Sequence, residues 1–547
     1  MPLIHARLLI VVAILISNAS SAQDVVLENI NVVDVINLAI RENQSVVLQD
    51  GIITSIYPSK RSARSRKSIS LDMTGKFLIP GLIDTHVHHA TSPDDADNDE
   101  ITRMRLRELL RGGVTSVRDM GGDTRVLSSL KRRANADLIQ APDIYYSVII
   151  GGSDFFSDPR TVASAKGRTP GEVDWMRAVN EDTDFGEVIS RSQGTGATGV
   201  KIYAAVNTKV MAQLNRAAKS KEVKVWSHAY VGPATPIDAV NAGVETLSHA
   251  SDIASHVVED FYAFRRQGKR LSQEHIERSL NLNRYSDLLA AMKNNDTILD
   301  ATLTVFEQTQ SERGQRGELL YTWGKTFTRL AHESGIKVST GTDVTSDSSG
   351  TPYPMVHREM QLLVREAGFT PLQAIQSATL IGAEVLGIQD TAGSVQAGTK
   401  ANLVILNADP SIDIENTLNI AHVIKNGQFV HRGDLPGLPF SSARPAAGML
   451  WMSGQVGNIP STKVLASRTL EGQMTQAMKN FGPILQEYNL SYEDIVKCTL
   501  MLDDIDDWPA ANEAYRPFFQ NYPARSAYAT SGLALGAKVE VECIAEL

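Results

Sequence analysis

Strand-like and helix-like segments alternate eight times through the middle of this 547-residue chain, and no other feature constrains its fold as tightly. Short apolar or β-branched runs fall at Leu82–His88, Thr115–Asp119, Ile144–Ile150, Val200–Tyr203, Lys224–Ala229, Thr246–Ala250, Thr297–Thr302 and Lys337–Asp343. Helical patterns separate them, among them Glu100–Leu110 and a helix opened by the pair Thr370-Pro371 and running to Leu386. Parallel strands need such crossovers. Eight strands joined this way predict an α/β fold, a (β/α)₈ TIM barrel, with a doubly wound parallel sheet as the alternative.

The flanks read differently. Asp50-Gly51 lies between Val46-Val47-Leu48 and Ile52-Ile53, the cue for a type I′ hairpin, and Asn426-Gly427 repeats it between Val423-Ile424 and Phe429-Val430. One β-sandwich assembled from residues 23–80 and 391–432 is therefore expected around a barrel of residues 81–390. A Pro/Gly-rich linker over residues 433–440, whose connector character Arg444-Pro445 continues, leads to a separate α+β unit over residues 441–547. That unit reads as strand Met449–Val456, helix Leu470–Tyr488, strand Val496–Leu502, helix Trp508–Phe519 and closing strands Ala524–Ala529 and Lys538–Ile544.

At the N-terminus Arg7, the apolar run Leu8–Ile16 and the small residues Ser20-Ser21-Ala22 make residues 1–22 a signal peptide. The run is far short of the ~20 residues needed to cross a bilayer. A periplasmic or secreted mature chain is expected, with no membrane contact after cleavage. Hydrophobic residues at 42% and charged residues at 21% exclude a disordered, coiled-coil or collagen-like chain. A net charge of −9 without a basic block argues against a nucleic acid partner. Two cysteines, Cys498 and Cys543, exclude a disulfide scaffold and a thiolate zinc site. They read as buried strand residues or, in an oxidising compartment, as a pair.

Polar residues at the strand ends carry the chemistry. His86-x-His88 closes the first strand, and period-2 alternation points both rings to one face, with His89 on the other. Lys201 interrupts the apolar run of the fourth strand, His228 ends the fifth, His249 the sixth and Asp343 the eighth. All lie at the C-terminal rim, where barrel active sites are built. Imidazoles with a carboxylate are the donor set of zinc and similar divalent ions.

This arrangement resembles the amidohydrolase superfamily, on barrel strands one, four, five, six and eight. The phrases Ile79-Pro80-Gly81-Leu82-Ile83-Asp84 and Gly113-Val114-Thr115-Ser116-Val117-Arg118-Asp119 are similar to its imidazolonepropionase-like and Xaa-Pro dipeptidase-like branch. The resemblance implies two divalent metal ions, Zn²⁺ by preference, bridged by a carbamylated Lys201 and a hydroxide. His86, His88 and Asp343 would hold one ion, and His228 with His249 the other. Asp343 would move the proton, and Tyr230 would donate to the developing oxyanion. The implied substrate is a small-molecule amide: a dipeptide or an N-acyl amino acid. Ser248-His249-Ala250 departs from the Glu-His-Gly of many relatives, and Gly151-Gly152-Ser153-Asp154-Phe155-Phe156 departs from a His-containing glycine loop. Arg265, Arg266, Lys269 and Arg270 read as a solvated helix face, or as the source of one arginine for a substrate carboxylate.

The C-terminal unit resembles the Rid (reactive-intermediate imine deaminase, RidA) family, whose fold is chorismate-mutase-like. Pro523-Ala524-Arg525-Ser526, Asn512-Glu513-Ala514-Tyr515 and Lys538-Val539-Glu540-Val541-Glu542 carry the resemblance. It implies that Arg525 grips the carboxylate of a 2-imino acid, that Glu540 positions water, and that the chain is a homo-oligomer, a trimer through this domain. Phe440 stands where members often have tyrosine. Two further readings are a Rid-type deaminase as the main activity, and a non-enzymatic trimerisation or ligand-sensing module.

Overall fold

The computed structural model describes residues 24–59, 68–91, 98–344, 354–432 and 439–547. The predicted signal peptide and most of the linker lie outside these residues. Among the described residues, no helix is long and apolar enough to cross a membrane.

Eight parallel strands form the barrel: Leu82–Val87, Val114–Asp119, Asp143–Gly151, Gly199–Ile202, Lys224–His228, Thr246–Ser248, Ile298–Asp300 and Val338–Ser339, called strands one to eight below. A short strand, Met176–Ala178, pairs with strand three on the outside. Strand eight returns to strand one through Thr85 N donating to Thr340 O at 3.0 Å and Asp343 N donating to His86 O at 2.8 Å. Strands one and two are buried along their whole length, as expected for strands covered on both faces. Strands six to eight are shorter than their sequence patterns suggest, because their last residues leave the ladder to become the rim.

The helix opened by Thr370-Pro371 runs to Leu386 as predicted, with a capping box between Thr370 and Gln373 and one π-helical stretch over Ser377–Ile381. Gly382 lets it approach the base of strand one, since a Cβ there would sit 2.9 Å from the Ile83 side chain.

Both flanks join one continuous eight-stranded sheet with its own core. Val25–Asp34 pairs with Ala39–Gln49, and Phe77–Pro80 pairs with Leu403–Leu406 from the far side of the barrel. The two hairpin cues both form turns with positive φ, 49° and 79° at Asp50-Gly51 and 48° and 76° at Asn426-Gly427, and the turns pack against each other.

The C-terminal unit is a five-stranded sheet in the order Ala443–Ala446, Met449–Val456, Val539–Glu546, Ile495–Leu502, Ala524–Ala529. Helices Leu470–Glu487 and Trp508–Tyr515 supply the rest of its core. The stretch around Arg444-Pro445, read from sequence as connector, is an edge strand, a position where proline costs no ladder bond. Cys498 and Cys543 lie opposite each other on neighbouring strands and form a disulfide. This unit contacts the barrel through Arg111 and Glu487, 3.1 Å apart.

Candidate active site

Strand one delivers His86 and His88 to the mouth. Asp84 secures that end of the strand by accepting from His86 N, Thr342 N and Thr342 Oγ1 at 3.1, 3.1 and 2.8 Å, which joins strand one to the end of strand eight. His249, Thr302 and Asp343 each have left-handed backbones, with φ of 74°, 55° and 55°. For residues other than glycine that conformation costs on the order of 1–3 kcal/mol, and such strain collects at functional sites. Here it turns the chain from strand into loop while the side chains still face the barrel axis.

The cluster is tight. Donor atoms of His86, His249 and Asp343 all lie within 4.8 Å of one another. His88 Nε2 is 3.0 Å and His86 Nε2 3.4 Å from Asp343 Oδ1, and His249 Nδ1 is 3.8 Å from Asp343 Oδ2. Lys201 Nζ is 2.9 Å from His86 Nε2 and 4.9 Å from the centre of the Tyr203 ring. The His228 ring lies 4.7 Å from that of His249, and its Nδ1 meets the Tyr203 carbonyl at 3.0 Å. All six residues singled out from the sequence as ligands thus converge on one place. His89 is buried, and its ring makes no hydrogen bond to any of the six among the described residues.

Electrostatics suit a cation. Burial pushes Lys201 down to about 7, so its amine reaches the neutral form that can react with carbon dioxide. Burial, reinforced by Lys201, lowers His86 to about 4, and burial lowers His249 to about 3. The rings are therefore neutral donors at neutral pH. Burial acts to raise the Asp343 carboxyl, but His86, His249 and His88 outweigh it and hold it well below the usual carboxylate range. Neutral imidazoles, an ionised carboxylate and a neutral lysine amine fit divalent metal ions.

Four residues not singled out from sequence complete the site. Asp300, at the end of strand seven, receives His86 Nδ1 at 2.8 Å and the buried Arg118 Nη2 at 3.1 Å. Tyr203, whose hydroxyl donates to Met120 O at 2.5 Å, forms a wall over Lys201 and stacks on Phe155 at 5.4 Å. Phe155 belongs to the departing loop after strand three, where a Cβ on Gly152 would sit 2.0 Å from Ala205 O; the glycine is needed for that approach. A polar residue inside an apolar strand run was the available signal for Asp300, the same signal that identifies Lys201.

Above the cluster the mouth is cationic. Arg160 pairs with Asp158 at 2.8 Å and Arg265 with Asp252 at 3.0 Å, whereas Arg266 and Arg313 have no ion-pair partner among the described residues. Burial, then repulsion from Arg265 and Arg160, lowers the pKa of Arg266. Arg160 and Arg313 both lie in the field of Asp343. The arginine-rich segment is therefore split: Lys269 is tied to Asp260 at 2.5 Å, while Arg266 lies in the field of Asp252 and Asp158 but makes no ion pair among the described residues. Tyr230 packs on Phe261 at 5.0 Å, within the field of Arg266, and makes no hydrogen bond to the histidines among the described residues.

In the C-terminal unit Arg525 Nη2 donates to Asn512 Oδ1 at 2.6 Å, with its guanidinium 5.2 Å from the centre of the Tyr515 ring. Glu540 lies against Gly454, where a Cβ would sit 2.0 Å from its Oε1, and burial with the nearby Glu542 raises its pKa. Strand Ile495–Leu502 separates the strands carrying Arg525 and Glu540, and the two residues align with Cys498 and Met501 respectively. One chain does not bring them together.

Residues 77–430 match the Amidohydrolase family, and the chain belongs to it. Its barrel is that of a hydrolase acting on carbon–nitrogen bonds, in a family that is typically metal-dependent. Similar folds are a Xaa-Pro dipeptidase crystallised with methionine in its active site (22% identity, TM-score 0.56, 74% of this chain and 99% of that one) and A. niger ochratoxinase (21%, 0.58, 75% and 96%). At such identities the likeness establishes the fold.

Residues 435–547 match the endoribonuclease L-PSP family. Over 108 residues they are 37% identical to the Homo sapiens 2-iminobutanoate/2-iminopropanoate deaminase, covering 20% of this chain and 79% of that protein. Against the Arabidopsis thaliana chloroplastic Reactive Intermediate Deaminase A the identity is 42% over 110 residues, 20% of this chain, and the match spans 59% of that protein's length. The C-terminal unit is a Rid domain.

Proposed function

We propose that the chain is an exported, binuclear metal-dependent amidohydrolase that cleaves the amide bond of a dipeptide or N-acyl amino acid. The observation that carries this is the convergence of His86, His88, Lys201, His228, His249 and Asp343 at one barrel mouth. His86, His88 and Asp343 would hold one ion, His228 and His249 the other, and a carbamate on Lys201 would join them. Divalent cations held there would lower the pKa of water and polarise the scissile carbonyl. Asp343 orients the attacking water, takes its proton and passes it to the leaving amine. Tyr230 donates to a substrate oxygen on the side of the mouth where Arg266 lies.

Hydrolysis of a library of dipeptides and N-acyl amino acids, with and without chelator, tests this reading. Chelator-sensitive cleavage supports it; no cleavage by protein loaded with two ions refutes it.

Arg266, which makes no ion pair among the described residues, is assigned to the substrate carboxylate. A hydrogen bond to a charged group contributes about 1.5–3 kcal/mol, so Arg266→Ala is expected to raise KM roughly 10- to 150-fold with kcat little changed. A substrate whose carboxylate is amidated should bind both proteins equally. If Arg266→Ala leaves KM unaltered, this assignment fails.

For the Rid domain the proposed activity is hydrolysis of a 2-imino acid, with Arg525 on its carboxylate and Glu540 positioning water. Separation of these two residues within one chain favours sites shared between copies, and exposed Trp451, Val496 and Tyr528 suit a trimer interface. Arg525→Ala is expected to abolish imine hydrolysis and spare amide hydrolysis. Phe440 keeps a second reading open, the non-enzymatic module. Absence of imine hydrolysis in both proteins would favour it. Export is supported by the N-terminal pattern and by a disulfide, which persists in oxidising compartments.

A further inference from the structure

We propose that Asp300 is the positioning residue of His86 and the carboxylate that neutralises buried Arg118, in a site where Ser248 leaves room for one carboxylate only.

Asp300 is fully buried and four donors converge on it. His86 Nδ1, Ser248 Oγ and Arg118 Nη2 reach Oδ2 at 2.8, 2.9 and 3.1 Å, and Thr85 Oγ1 reaches Oδ1 at 3.0 Å. An ionised carboxylate only accepts. The shared proton therefore belongs to His86 Nδ1, which leaves Nε2 unprotonated, its lone pair accepting from Lys201 Nζ at 2.9 Å and available to a metal ion. A second partner of this kind fixes both the tautomer and the plane of a metal-binding ring.

Arg118 is equally buried. It donates to Thr85 O at 2.5 Å, lies 4.6 Å from the centre of the Trp226 ring, and has Asp300 as its only ion-pair partner among the described residues. A guanidinium this deep needs a counter-charge. Strand eight makes room for it: a Cβ on Gly341 would sit 2.1 Å from Asp300 Oδ1 and 2.6 Å from His86 Cβ.

The departure on strand six now has a physical counterpart. Ser248 points at the Asp300 carboxylate. Glutamate at 248 would press a second carboxylate against the first, beside one guanidinium, and like charges so close cannot both stay ionised. In this chain a glutamate at 248 is therefore expected to be compatible with Arg118 and His86 only when Asp300 is removed.

The metal arm of the test rests on the proposed role of His86; the spectroscopic arm does not. Metal-free full-length wild type, Asp300→Ala, Ser248→Glu and the double variant are compared by imidazole ¹⁵N NMR, with the His86 signal assigned by its loss in His86→Ala, and by zinc titration. Wild type is expected to carry the His86 proton on Nδ1. Asp300→Ala should lose that preference and bind zinc about 10- to 100-fold more weakly. Ser248→Glu should also weaken binding, and the double variant should recover both signals. If Asp300→Ala does not fold, a folded double variant supports the exchange. An unchanged His86 signal in Asp300→Ala, or a double variant no better than Asp300→Ala, overturns the proposal. Wild type that binds no zinc refutes the metallohydrolase reading, and the NMR comparison still decides the role of Asp300.

Discussion

Replacing Lys201 with alanine is expected to reduce amide hydrolysis to the level of the chelated protein and to lower the metal content from the two ions proposed to one. Lys201 is fully buried, and its amine sits 2.9 Å from His86 Nε2. On strand four it is the residue placed to join the His86–His88–Asp343 half of the cluster to the His228–His249 half. The buried amine carries a desolvation cost that offsets part of the cavity its removal leaves, so the metal-free variant is expected to stay folded, with a cooperative thermal transition. That separates a lost ligand from a damaged fold. The cavity left behind fits a small carboxylate, and added acetate or propionate is expected to restore part of the activity. Undiminished hydrolysis by Lys201→Ala would remove the bridging role and with it the binuclear centre.

Asp343→Asn is expected to lower kcat by about 10²–10⁴-fold, the usual worth of a positioned proton-transfer group, with KM nearly unchanged. Asparagine has the same shape and tolerates the left-handed backbone that Asp343 adopts, φ 55°. The loop should therefore stay in place while the acceptor is lost. The amide still offers one oxygen toward His88 but cannot take a proton from water. A kcat close to wild type would exclude Asp343 from proton transfer, and a large rise in KM would show that it positions substrate instead.

Much of the site was legible because strand geometry is short-range. Alternation with period 2 put His86 and His88 on one face. A polar residue at the end of an apolar strand marked His228, His249 and Asp343, and one inside an apolar run marked Lys201. The two hairpin turns were readable from Asp-Gly and Asn-Gly, since few other pairs accept positive φ twice in succession. Where local cues competed, the reading erred: Arg444-Pro445 looks like connector, yet an edge strand accommodates it because the proline nitrogen faces no neighbour.

Strand period and turn chemistry are properties of neighbouring residues. The sequence by itself therefore pointed to a barrel rather than a doubly wound sheet, to β-structure drawn from both flanks and to the polar strand residues that converge at the mouth. The Rid domain was legible through a family resemblance. Only the tertiary structure decided which charges meet. Arg118 and Asp300 are 182 positions apart and pair on the barrel axis. Arg265 pairs with Asp252, whereas Arg266, one residue later, makes no ion pair among the described residues. Cys498 and Cys543 become a disulfide through strand register. Such pairings depend on distances across the closed sheet, and no local pattern along the chain encodes them.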